Sequence, residues 1–401
     1  MQSIKSFYKK IEDIFRSTRL DDLIILGIGL VLAMLVRLSL HSYYTRDYTM
    51  FTKCYLMIKE LGFSAFKSGC TNYTPAYEYL LYLETVLFPG MTNTAGTKLP
   101  SIGFDFICAW LCFLIVRMKY KTGPIPYFAM FAVLFSPPII IVSAGWGQFD
   151  IIYTTFLIAS LYFILKDKGW LASLAFGIAI SIKLQAVAFA PLFLILFLKK
   201  KMSFLHLLLV PVVYFISNIP AWLAGRSLVD LLLVYIRQAD LFEVLTLTAP
   251  NIYYWIPEGN FDQFYLTGLL FGTSMIFLFI IAVYKSSNAL NDKRIVLLAM
   301  ISTLIVPFFL PKMHERYFFP ALLVSYVFGF YFPKFFYIPI VVSVISYFSY
   351  QQYLFQTTDF PFSVLALVML AVVLILTKIL IQQFYLPEDQ AVDAADKSSN
   401  I

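Results

Sequence analysis

Apolar residues in this chain come in long runs rather than in alternation. LIILGIGLVLAMLV over 23–36 and FSVLALVMLAVVLILTKILI over 362–381 are examples, and stretches near twenty residues recur along the whole length. Alternation over roughly ten residues would mark the strands of a membrane barrel. Unbroken runs instead match helices that cross a hydrocarbon core about 30 Å thick and satisfy their own backbone within it. The pattern predicts spans near 20–41, 99–117, 124–142, 149–165, 203–224, 263–285, 295–311, 316–333, 336–352 and 361–384.

Two stretches depart from simple spans. Residues 74–89 are short and carry Glu78 and Glu84, which predicts a re-entrant or interfacial helix. Residues 170–198 would make a straight helix about 43 Å long at 1.5 Å per residue, with Lys183 and Gln185 at its centre. Lysine pairs flank both ends, so two half-length helices meeting at SIKLQ suit it better, as where broken helices line a cavity. The fold class expected is an all-α polytopic membrane protein with about 12 transmembrane segments, one pair of them short and broken.

Charge orients this thread. Lys and Arg favour the cytoplasmic side of short loops, and six clusters can share that side: Lys5 to Arg19, Arg117/Lys119/Lys121, Lys166/Lys168, Lys199/Lys200/Lys201, Lys285/Lys293/Arg294 and Lys334. Both termini are then cytoplasmic. Outer loops and helices occupy 42–98 and 225–262, and the WGQFD and PKMHERY turns lie on the outer face. Residues 1–385 read as a single transmembrane domain, and 386–401 as a polar cytoplasmic tail without a packed structure.

Composition closes off other classes. Of 401 residues, 60% are hydrophobic and 13% charged, with mean hydropathy +0.80, against about 25% charged in a soluble domain. The net charge of +7 sits in loop clusters, so it reads as topology and not as a nucleic-acid surface. The start is charged and amphipathic, which predicts no cleaved signal peptide. Cys108 and Cys112, at i,i+4 in an apolar run, read as packing residues, while Cys54 and Cys70 are able to pair across one loop or to remain free.

Polar residues beyond the needs of topology gather on the outer side. Arg46-Asp47 offers a carboxylate kept ionised by its neighbour, able to deprotonate an acceptor hydroxyl, or else an interfacial ion pair. In Gly145-Trp146-Gly147-Gln148-Phe149-Asp150, Gln148 and Asp150 offer partners to a polar ligand, or Asp150 caps the next helix. Lys183 and Gln185 lie deep in an apolar stretch, where a charge marks function by default unless it snorkels to the surface. Lys312, His314, Glu315 and Arg316 crowd one turn, with Arg suited to bidentate phosphate contact. With only three histidines, His41, His206 and His314, a histidine-built metal site is not expected. A carboxylate-bound divalent cation stays open as a cofactor.

In this order, Arg46-Asp47, Asn72-Tyr73-Thr74-Pro75-x-Tyr77, Trp146-Gly147-Gln148-x-Asp150, Lys183-x-Gln185 and His314-Glu315-Arg316-Tyr317-Phe318-x-Pro320 resemble the GT-C glycosyltransferases. They look most like bacterial proteins similar to the mannosyltransferase that adds the second mannose of the GPI anchor. Where that pattern has tyrosine-proline-proline, this chain reads Tyr73-Thr74-Pro75, and Tyr55 stands where a tryptophan is often found.

The resemblance implies a GT-C-like fold and a hexosyltransferase of a bacterial plasma membrane. It would move a mannose-like sugar, with inversion, from a polyprenyl-phosphate-sugar donor to a glycan, lipid or protein acceptor on the outer face. It implies Asp47 as catalytic base. Lys183, Lys312 and Arg316, together with Arg46, would bind the donor phosphate. Gln148 and His314 would line the pocket, with Tyr73, Trp146, Asp150, Gln185 and Glu315 around it. Two other readings share these features: a flippase or transporter of lipid-linked sugar, and a glycan polymerase or ligase.

Overall fold

The computed structural model describes residues 20–45, 48–239, 242–257 and 259–386. The N-terminal basic cluster, Arg46, Asp47 and nearly all of the polar tail lie outside the described residues. Helices α1 (Leu20–Ser39), α2 (Tyr48–Leu61), α3 (Pro75–Leu87), α4 (Asn93–Lys119), α5 (Ile125–Leu134) and α6 (Pro137–Ile140) come first. A π-helical turn, Ile141–Gly145, follows and leads into α7 (Asp150–Leu165) and α8 (Gly169–Ile182). Then come α9 (Ala190–Leu198), α10 (Phe204–Leu223), α11 (Leu228–Leu232) and α12 (Val234–Ala239). The last five are α13 (Phe261–Lys285), α14 (Asp292–Phe309), α15 (Phe319–Tyr331), α16 (Tyr337–Phe355) and α17 (Phe362–Tyr385).

The ten simple spans each coincide with a helix or a bent pair. Among the described residues, four helices (α4, α10, α13 and α17) are long and apolar enough to cross a membrane on length and composition. A fifth span counts α5 and the Pro137–Gly145 segment together, bent by 46° where Pro137 removes a helix donor. Helix α4 begins six residues earlier than the span predicted at 99, because Thr92 caps it by accepting from the amide of Ala95. Residues 74–89 form the short helix α3, with Pro75 at its first position.

The long apolar stretch breaks at Lys183, whose backbone is extended (φ −155, ψ 132), and restarts as a 3₁₀ turn, Leu184–Phe189, running into α9. A break strands carbonyls at the end of α8, and two hydroxyls from elsewhere take them. Thr74 donates to Ser181 and Tyr235 donates to Ile180. Those bonds let the helix stop in the interior.

Burial sorts the helices into a centre and a rim. Helices α14 and α15 are buried along nearly their whole length, and α7 packs between α4 and α8. On the rim, Ile24, Ile25, Ile28 and Val31 of α1, Phe215 and Leu223 of α10, and Leu266 and Leu270 of α13 leave their side chains open. Large aliphatic faces of this extent suit lipid as the solvent.

Candidate functional site

Three turns meet at one end of the buried helices. The first is Gly145–Asp150, between the π turn and α7; the second is the break at Lys183; the third is 310–318, between α14 and α15. Gly147 takes φ +74, a left-handed conformation that favours glycine. A Cβ there would also sit 2.5 Å from the Tyr48 ring. This turn delivers Asp150 to the start of α7, where it is fully buried.

Asp150 is the hub of an ion-pair network. Lys183 Nζ donates to its Oδ1 at 2.8 Å, and Arg316 Nη1 donates to its Oδ2 at 3.1 Å. The same Arg316 nitrogen donates to Gln148 Oε1 at 2.8 Å, and its Nε reaches Glu315 Oε1 at 3.3 Å. Thr248 Oγ1 donates to the other oxygen of Glu315 at 2.5 Å. Burial raises the Glu315 carboxyl above its usual range, against the pull of Arg316 and Thr248. Aromatic rings wall the cations in: the Arg316 guanidinium lies 4.8 Å from the Trp146 ring centre, and Lys183 Nζ lies 4.9 Å from Phe149 and 5.4 Å from Tyr73.

In front of this network lies a cavity of about 260 Å³. Its polar lining includes Asn72, Tyr73, Gln185, Gln238, Lys312, His314 and Tyr317. The rest of the lining is largely apolar, with Leu184, Val187, Leu269, Val306 and Leu310 among its residues. The 225–262 segment shapes the rim. Strands β1 (Thr246–Leu247) and β2 (Met313–His314) pair in parallel, Leu247 beside His314, and the Lys312 amide donates to Leu245 at 2.8 Å. Lys312 itself has φ +63, a strained conformation for a lysine, and its ammonium lies over the rings of Phe261 and Tyr265.

The predicted site residues thus fall into two groups. Tyr73, Gln185, Lys312 and His314 line the cavity, whereas Trp146, Gln148, Asp150, Lys183, Glu315 and Arg316 form the network behind it. Lys183-x-Gln185 and His314-x-Arg316 each contribute one member to both groups, so the network backs the cavity. Arg46 and Asp47 lie outside the described residues. Sequence reading did not single out Gln238, Phe242, Tyr265 or Thr248; Gln238 lies in the last turn of the short helix α12, Tyr265 lies in the second turn of α13, and Phe242 and Thr248 stand in loops.

A second feature stands beside the site. Cys54 on α2 and Cys70 in the following loop are joined by a disulfide. Glu78 of α3 ties down the same loop, accepting from the amides of Cys70 and Thr71 at 3.1 and 3.2 Å and from the Thr71 hydroxyl at 3.0 Å. These two cysteines and Glu78 are the group of potential metal ligands that sit together among the described residues. Paired sulfurs offer no thiolate to a metal. The loop ends in Asn72 and Tyr73 at the cavity.

Comparison with known proteins bears on this arrangement. The sequence model of glycosyltransferase family 87 matches residues 101–310, just over half of the chain. The chain is 31% identical over 157 residues to GPI mannosyltransferase 1 of Schizosaccharomyces pombe, a match covering 39% of this chain and 40% of that protein. The chain therefore spans less than half the length of that relative. Its fold is similar to the crystal structure of ArnT from Cupriavidus metallidurans bound to undecaprenyl phosphate, with a TM-score of 0.55 at 13% identity, over 89% of this chain and 70% of that one. The family model covers just over half of the chain, and the fold is like that of the ArnT structure; the chain belongs to glycosyltransferase family 87.

Proposed function

We propose that this protein transfers a hexose of mannose type, with inversion, from a polyprenyl-phosphate-sugar donor to an acceptor at the outer face of a bacterial plasma membrane. The observation that carries the reading is the cavity itself. Much of its lining is apolar, as a polyprenyl chain needs. The same lining includes Lys312 and His314, with Lys183 and Arg316 on the Asp150 network that adjoins it. Phosphate binds where donors and positive charge converge, and fixed cations stabilise the charge that grows on a leaving phosphate.

Two further observations support it. The relative's name is that of a mannosyltransferase, and the similar fold was solved with undecaprenyl phosphate. The Cys54–Cys70 disulfide belongs in an oxidising compartment, which favours the outer side for this end of the molecule. In this reading Asp47 takes the proton from the acceptor hydroxyl as it attacks the anomeric carbon, and the polyprenyl phosphate leaves.

Purified protein supplied with synthetic polyprenyl-phosphate-mannose and a membrane extract as acceptor source should incorporate the sugar. Asp47→Asn should lower turnover by about a hundred-fold or more, since a general base contributes about 10²–10⁴, while donor binding stays close to that of the parent. Parental turnover by Asp47→Asn removes the base assignment. Lipid translocation in vesicles without any glycosidic product would replace the transferase by a transporter.

A further inference from the structure

Lys98, near the start of α4, is 1% exposed, and among the described residues no carboxylate pairs with it. Its ammonium donates instead to three backbone carbonyls: Leu40 at 3.0 Å, Tyr43 at 2.7 Å and Gly145 at 3.0 Å. Leu40 and Tyr43 lie just past the end of α1, and Gly145 ends the π turn. Carbonyls past a helix end have lone pairs free to accept from outside the helix, and a cation there also suits the helix dipole. One side chain therefore fastens two helix exits to each other.

The surrounding contacts point the same way. Thr45 donates to the carbonyl of Trp146 at 3.3 Å, and Tyr48 donates to Thr94 while its ring fills the space over Gly147. Ser101 donates to the carbonyl of Gln148 at 3.0 Å. Thr94, Lys98, Ser101 and Asp105 follow one another at intervals of four, three and four residues, a single face of α4. Asp105 closes the row, taking Arg37 of α1 at 2.6 Å and Ser143 of the π turn at 2.6 Å. The side chains of Lys98, Ser101 and Asp105 each hold α1, the residues just after it, or the turn that carries Trp146 and Gln148 to Arg316, while the Thr94 carbonyl takes Tyr48 at the start of α2. Burying an ammonium among neutral carbonyls is costly, and an apolar side chain could fill the same space. A lysine there supplies the one thing an apolar side chain lacks, a directional tie between two loops.

We propose that Lys98 is a positioning residue for sugar transfer: its three hydrogen bonds hold the Leu40–Tyr43 exit of α1 against the Gly145–Gln148 turn, and so set that turn and the cation network it joins in register. The assignment rests on the transferase reading above. Lys98 is buried and is not among the residues that line the cavity, so its loss should act on turnover and not on donor affinity. A misplacement of about 1 Å costs on the order of a hundred-fold in rate.

The test uses the full-length protein in lipid nanodiscs with synthetic polyprenyl-phosphate-mannose, and reads turnover per donor-binding molecule beside the donor Kd. Lys98→Met should lower turnover by about ten- to a hundred-fold with the Kd changed less than about three-fold, and Lys98→Arg, which keeps charge and donors, should recover part of the loss. Thr45→Val removes one hydroxyl from the same strap and should lower turnover several-fold; it decides the matter where Lys98→Met does not accumulate as donor-binding protein. Parental turnover by the donor-binding variants overturns the assignment. A parent protein that transfers no sugar overturns the functional reading and this assignment with it, whereas an active Asp47→Asn removes the base alone.

Discussion

Asp150 shows how far one residue's role depends on its partners. As the first residue of α7 it has the composition of a helix cap, yet its side chain turns to Lys183 and Arg316. Asp150 is the carboxylate the two buried cations share, Glu315 reaching Arg316 alone, and such charges are stable in the interior only together. Asp150→Ala should therefore cost about 3–5 kcal/mol, the usual penalty for leaving buried charge uncompensated, read as a fall in thermal unfolding midpoint in detergent. An unchanged midpoint would mean that water reaches the site. The candidate residues themselves were legible as residue types: charges and amides in turns between apolar runs. Which of them line the cavity and which back it was not, since Lys183 and Gln185 are two positions apart and fall on different sides of that division.

At the scale of elements, the break in the apolar stretch 170–198 follows from its length and its central lysine, and α8 ends at Ile182. What makes the break tolerable, the hydroxyls of Thr74 and Tyr235, comes from two distant segments. Helix α3 carries a different kind of strain. Both oxygens of Glu84 are buried without a hydrogen-bond partner, and burial pushes its carboxyl from an ordinary 4.5 up to about 8. The folded protein then binds a proton that the unfolded chain has released above that ordinary value, so stability is greatest below it and declines as pH rises towards about 8. Glu84→Gln should flatten that decline, measured as the slope of unfolding midpoint against pH between 5 and 8. An equal slope in the variant would place the titrating group elsewhere.

For the whole molecule, the disulfide fastens α2 to the loop that ends at the cavity. In sequence it was one of two readings of Cys54 and Cys70. Replacing both cysteines by serine should cost about 3 kcal/mol, as for a closed loop near fifteen residues, and the parent should unfold earlier under reductant while the double variant does not respond. A parent indifferent to reductant would show that loop closure contributes little here. The membrane helices and their helical class were readable from the chain because partition into lipid is a local property, decided within about twenty residues. The polar face of Thr94, Lys98, Ser101 and Asp105 was present as spacing alone, but its partners include backbone carbonyls, which every residue carries, so spacing names none of them. Asp150 stands 33 positions from Lys183 and 166 from Arg316. Their meeting is a consequence of how buried helices pack, a long-range property that no local pattern contains, and it was left to the tertiary structure to decide.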